Sequence, residues 1–238
     1  MSSHAVESGE RLRAVHVPAA ARTQFAWLGA GLALGFAVPF VFADVLALPR
    51  DLYYAVYVVI VVAFVIAWAR ATGQSLAEGL RRRPLLTVAL ALAAVGVLTI
   101  VVLRGEGTAR PDGIELFAAI LWRGVVYGTA DGLLLSVFPI LAVFAAFRAT
   151  RLTRRLTGRV AITLIALAAS LAMTAAYHLG YSDFRYEKVR QPIAGDVVWS
   201  APTLLTLNPV GAPVAHAGMH VAAVVHSYET DLFLPPHE

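Results

Sequence analysis

The sequence predicts an all-α, polytopic transmembrane helix bundle of about six spans, or seven if one weaker segment also crosses. Three observations carry this expectation. Of 238 residues, 59% are hydrophobic and only 14% are charged, with a mean hydropathy of +0.72. That leaves too little polar surface to coat a soluble domain, and lipid is the solvent that accommodates it. Apolar runs recur near the length that crosses a hydrocarbon core. Finally, no polar block is long enough for a separate soluble domain; the longest are residues 1–24 and 180–196.

Residues 1–24 read as a cytoplasmic tail without regular structure, 25–230 as the membrane domain and 231–238 as a C-terminal tail. The first apolar run, Phe25–Leu48, is too long for the core of a cleaved signal and follows a polar stretch, so it reads as a span. Tyr53–Trp68 is the second, rich in valine and aromatics. Pro84–Leu103 is the third, with proline suited to a first helical turn. Ile114–Phe147 is a long fourth run interrupted by Gly128, Asp131 and Gly132. As one straight helix it would rise about 51 Å, so it must tilt, break near those residues or leave the lipid. Val160–His178 is the fifth run and Pro213–Tyr228 the last. The weaker Val197–Leu207, with Pro202 inside it, lies between them.

Arginine and lysine concentrate in cytoplasmic loops. Twelve of the nineteen fall in the N-terminal segment, the 70–83 loop and the 148–159 loop; six fall in the intervening loops, and Arg123 lies inside a span. This split predicts a cell-membrane protein with a cytoplasmic N-terminus, and it requires Ile114–Phe147 to cross once. Six crossings put both termini on the cytoplasmic side; a crossing by Val197–Leu207 would put the C-terminus outside. The net charge of +4 reports topology rather than a nucleic-acid partner; the lipid bilayer is the expected partner. The absence of cysteine excludes disulfides, thiolate metal sites and cysteine nucleophiles.

Ionisable residues inside lipid are costly and mark function. His216 and His220, four apart, share one helix face, a spacing that suits two imidazoles on one divalent metal such as zinc. In the six-span arrangement His178 ends one helix where His216 begins another and Glu115 a third. Topology then places Glu115, His178, His216 and His220 at one depth, with His178, His216 and His220 as the metal-ligand set. Arg123 needs a carboxylate, and Asp131 or Asp183 could supply it.

The stretch from Ala118 to Gly128, containing Trp122-Arg123-Gly124 and Tyr127-Gly128, resembles the first motif of the CPBP family, the CAAX-protease and bacteriocin-processing (Abi) intramembrane proteases. That motif is Glu-Glu-x-x-x-Arg, usually followed by glycine. Thr174–His178 resembles the second motif, Phe-x-x-x-His, keeping only the histidine. His216–His220 resembles the third, His-x-x-x-Asn, with histidine for asparagine. The resemblance implies a site built from Arg123, His178, His216 and His220, and a peptide or lipid-modified protein segment as partner. The two glutamates that activate water in the family are Ala118 and Ala119 here, and alanine cannot accept a proton. The expectation is therefore a non-proteolytic or divergent member. The alternatives are an active hydrolase that uses Glu115 or a metal, a small transporter, or a structural membrane subunit.

Overall fold

Prolines and glycines punctuate the apolar runs, and the helices begin, widen and stop at them. A computed structural model describes residues 19–230 and 232–235. Among these there is no strand. Seven helical legs run between two ends of a bundle: α1 (Ala19–Val38, continued by a wide π-helical turn, Pro39–Val45), α2 (Arg50–Thr72), α3 (Pro84–Leu103), α4 (Gly113–Phe147), α5 (Leu156–Leu179), α6 (Arg190–Thr206) and α7 (Gly211–His226). Pro84, Pro192 and Pro213 sit in first turns, where a missing N–H costs nothing. α2 stops at Gly73, whose φ of 66° is the left-handed conformation glycine supplies at a helix C-terminus.

The first five legs are long and apolar enough to cross a membrane. At 17 and 16 residues, α6 and α7 rise about 26 and 24 Å, slightly less than a typical hydrocarbon core. Their outer faces, like those of the longer legs, expose large apolar side chains, among them Val59, Leu85, Leu92, Leu164 and Leu205. In water such a surface would be a liability; against lipid it is the expected one. α4 is the central leg. In its most apolar window 72% of residues are buried, against 28–33% in the other four long legs.

Loop contacts fix the two ends. Asn208, between α6 and α7, donates to the carbonyls of Leu80 (3.0 Å) and Arg82 (2.9 Å), so this turn lies at the arginine-rich end. The Gln24 side chain accepts from Trp68 Nε1 at 2.9 Å, which puts the start of α1 there as well. At the opposite end, Thr108 N donates to His226 O (2.9 Å), Ser227 Oγ to Glu106 O (3.2 Å) and Arg50 Nη1 to Tyr228 O (3.1 Å). The described chain thus starts at one end of the bundle and finishes at the other. This disposition is the one expected where Val197–Leu207 also runs through the bundle. The weak segment Val197–Leu207 is the second half of a continuous leg, α6. Its polar first half, with Gln191 and Asp196, had hidden it.

Two further boundaries differ from expectation. Residues 19–24, placed in the tail, already belong to α1; residues 1–18 lie outside the described ones. At the other terminus, Leu234 and Pro235 are buried, so residues 232–235 pack back onto the bundle rather than trailing from it.

Candidate metal and histidine site

Three glycines at four-residue spacing, Gly124, Gly128 and Gly132, bring α4 and α7 together. A Cβ at Gly128 would stand 2.8 Å from Ala217 Cα, and one at Gly132 would stand 2.5 Å from Pro213 Cα. A stripe of small residues lets two backbones approach this closely. Around this stripe α4 is wound wide, in π-helical segments Ile120–Tyr127 and Gly132–Val137 on either side of Gly128–Asp131. Such widening is frequent at functional sites. The close approach sets Asp131 against the face of α7 that carries both histidines.

The result is a compact donor set. One ligating atom each from Asp131, His216 and His220 lies within 4.8 Å of the others, and all three residues are buried. His220 Nε2–H donates to Asp131 Oδ2 at 3.2 Å. The two imidazoles stack, centroids 6.2 Å apart. Four polar atoms in this set are buried without a hydrogen-bond partner: both ring nitrogens of His216, Nδ1 of His220 and Oδ1 of Asp131.

These side chains line a cavity of about 490 Å³. His178, on α5, lines the same cavity. Its Nδ1–H donates to the carbonyl of Thr174 at 2.8 Å; a carbonyl only accepts, so Nδ1 holds the proton and Nε2 keeps its lone pair. Val97, Leu98, Val101, Val198 and Met219 supply apolar wall, Arg104 and Gln191 bring the cavity to the end opposite the arginine-rich one, and Leu232 and Phe233 close it from the C-terminal segment. Trp199 stands 4.3 Å from His216, ring to ring.

The structure thus brings together His178, His216 and His220, and adds Asp131. It does not bring Glu115 or Arg123 to them. Glu115 is exposed in the first turn of α4 and does not line the cavity. Arg123 is held by Asp51 on α2, through Nε to Oδ1 (2.9 Å) and Nη2 to Oδ2 (2.8 Å), and its guanidinium lies 4.6 Å over the Tyr228 ring. Asp131 is therefore the partner of His220, not of Arg123. Ala118 and Ala119, where the family motif has glutamates, do not line the cavity either.

A second feature that the sequence reading passed over lies behind the site. The hydroxyls of Tyr53, Tyr127, Tyr177 and Tyr181 form a buried network: Tyr177 lies 2.5 Å from Tyr127, 2.6 Å from Tyr181 and 3.2 Å from Tyr53, and Tyr181 donates to Tyr53 at 2.6 Å. The Tyr127 ring meets His220 edge-on at 5.1 Å. The four-residue spacing of Tyr177 and Tyr181 was the available signal.

No protein-family model, curated protein or solved structure matches this chain.

Proposed function

We propose that this protein is a membrane-embedded, metal-dependent hydrolase centred on Asp131, His216 and His220, with His178 beside them. The observation that carries the reading is the convergence of one carboxylate and two imidazoles, largely unpartnered, on a buried cavity. Two histidines and one carboxylate are the ligand set of many catalytic zinc sites, which keep a fourth position open for water or substrate. A divalent ion held there supplies Lewis acidity, polarising a carbonyl and making water a nucleophile near neutral pH. The chain's own groups do the rest. His178 Nε2, oriented by the Thr174 carbonyl, is placed to exchange a proton with the reacting group. The apolar wall takes the hydrophobic part of a substrate, and Arg104 and Gln191 face its polar end.

A lipid-modified peptide segment or a lipid ester has that chemistry. On this reading the kinship to the CPBP proteins is one of motif order. The carboxylate passes to Asp131, twelve residues beyond Ala119 on the same leg. The arginine-rich end faces the cytoplasm, so the cavity opens on the other side of the cell membrane.

Elemental analysis of protein purified without chelator, and after incubation with zinc, tests the reading. The expected result is about one equivalent of transition metal per chain, lost in a His216→Ala/His220→Ala double variant. Equal metal in both proteins, or none in either, defeats it.

A further inference from the structure

Among the described residues, Asp196 is the one buried carboxylate that the proposed hydrolytic centre does not use. It sits on α6 with no exposed surface, and among the described residues no cationic side chain pairs with it. Three hydroxyls from three legs surround it instead. Ser170 Oγ (α5) lies 3.1 Å and Ser136 Oγ (α4) 3.4 Å from Asp196 Oδ1, and Ser200 Oγ (α6) contacts the same oxygen. Ser200 Oγ is also 2.9 Å from Ser170 Oγ and 3.2 Å from Ser136 Oγ.

A fifth oxygen is supplied by a proline. Pro139 has no N–H to give to the carbonyl of Leu135, and Ser170 Oγ takes that carbonyl up at 2.8 Å. Despite this crowding the cluster is incomplete. Asp196 Oδ2, Thr174 Oγ1 and Trp199 Nε1 are buried and face one another, and none of the three closes a hydrogen bond of ordinary geometry.

We propose that these oxygens bind a sodium ion. Three arguments lead there. A lone carboxylate in a low-dielectric interior must be neutralised, by a proton or by a cation. One negative charge balances one positive charge, whereas divalent hard ions recruit several carboxylates or waters. The donors are all oxygen, which suits a hard ion and not the transition metals that imidazole takes. Size agrees with charge: the oxygens crowd within 2.9–3.4 Å of one another, with Ser200 closer still to Asp196, a cluster tight enough to favour a small hard cation over potassium.

The sodium site shares two walls with the histidine cavity. Thr174 gives its carbonyl to His178 and turns its hydroxyl toward Asp196. Trp199 stacks beside His216 with its indole N–H on the Asp196 side. The proposal stands whether or not the histidine site holds a metal.

Thermal unfolding in detergent at pH 8, with EDTA present and at constant ionic strength, tests it in sodium, potassium and choline chloride. The expected result is a rise of several degrees in Tm that saturates with sodium and is absent with potassium and choline. Asp196→Asn, which keeps the shape and a hydroxyl-bonding side chain, is expected to lose the sodium-specific rise. Binding of radioactive sodium to the unmodified protein, at one per chain and resistant to excess potassium, supplies the same answer should that variant not fold. Identical Tm values in sodium and choline, or no saturable sodium binding, would show a protonated structural aspartic acid and overturn the proposal. Because EDTA is present throughout, neither outcome bears on the zinc content of the histidine site.

Discussion

Replacing Gly132 with alanine is expected to separate α7 from α4 and to disturb the histidine site without touching any of its side chains. The added Cβ falls 2.5 Å from Pro213 Cα and 2.7 Å from Pro213 N, where ordinary contact begins at 3.4 Å. Both atoms are backbone of a residue with a fixed φ, so neither swings aside. α7 must retreat by about 0.9 Å, the difference between 3.4 and 2.5 Å. Overpacking of this kind costs about 1–3 kcal/mol, at about 2–4 °C of Tm per kcal/mol for a chain of this length.

The same retreat draws His216 and His220 away from Asp131. Metal sites tolerate roughly 0.2 Å, and loosening their support costs about 10–100-fold in affinity. The assay is a paired measurement of Tm and zinc affinity in detergent, with Gly96→Ala as comparison. Nothing lies within 4 Å of a Cβ at Gly96, so that variant is expected to gain about 0.5–1 kcal/mol from the lost glycine entropy. If Gly132→Ala behaves like Gly96→Ala in both measurements, the close approach of α4 and α7 is not what assembles the site.

Glu115→Gln is expected to leave both metal content and Tm unchanged, within about 0.5 kcal/mol, since the side chain is exposed and distant from the cavity; a loss of metal would return Glu115 to the site. Asp51→Asn is expected to cost about 1 kcal/mol, because the pair is bidentate but Asp51 is half-exposed. Its metal content should not change, which would set Arg123 apart from the histidines. Tyr177→Phe removes the hydroxyl that contacts those of Tyr53, Tyr127 and Tyr181. A chemical denaturation series should register a loss of about 1–3 kcal/mol, the cost of leaving a buried hydroxyl unpaired.

What could be read in advance depended on the physics involved. Burial in lipid demands length and apolarity, both one-dimensional properties, so α1 to α5 are legible as apolar runs. α6 is not, since Asp196, Ser200 and Thr203 face inward and, with Gln191 in the first turn, dilute the hydropathy of a leg whose outer face is still apolar. The same limit applies to the site. Spacing and loop order put His178, His216 and His220 at one depth, and they share a cavity. Depth says nothing of azimuth, and Glu115 ends at the lipid-facing or solvent-facing surface of α4 instead. Asp131 and Arg123 lie eight residues apart on one leg, and the sequence alone offered them as partners. Each instead meets a residue from another leg, His220 or Asp51. The glycines at 124, 128 and 132 carried the missing information. They mark the face of α4 that a neighbouring backbone approaches, and Asp131 borders it.

The strongest rival to a functional site is that every buried polar residue merely glues helices together. Glue has a requirement of its own: its donors and acceptors satisfy one another, because an orphaned polar atom in an apolar interior costs more than the bond returns. The protein contains such glue, and it obeys. Asn208 reaches two carbonyls of the 73–83 segment and accepts from Val210 N. Ser170 takes up the carbonyl that Pro139 releases. Four tyrosine hydroxyls close on one another. Among the histidines the rule fails at four atoms at once, and those four belong to residues that converge on one cavity. Four such atoms on one carboxylate and two imidazoles, facing one cavity, are what a ligand site requires and what interhelical glue does not.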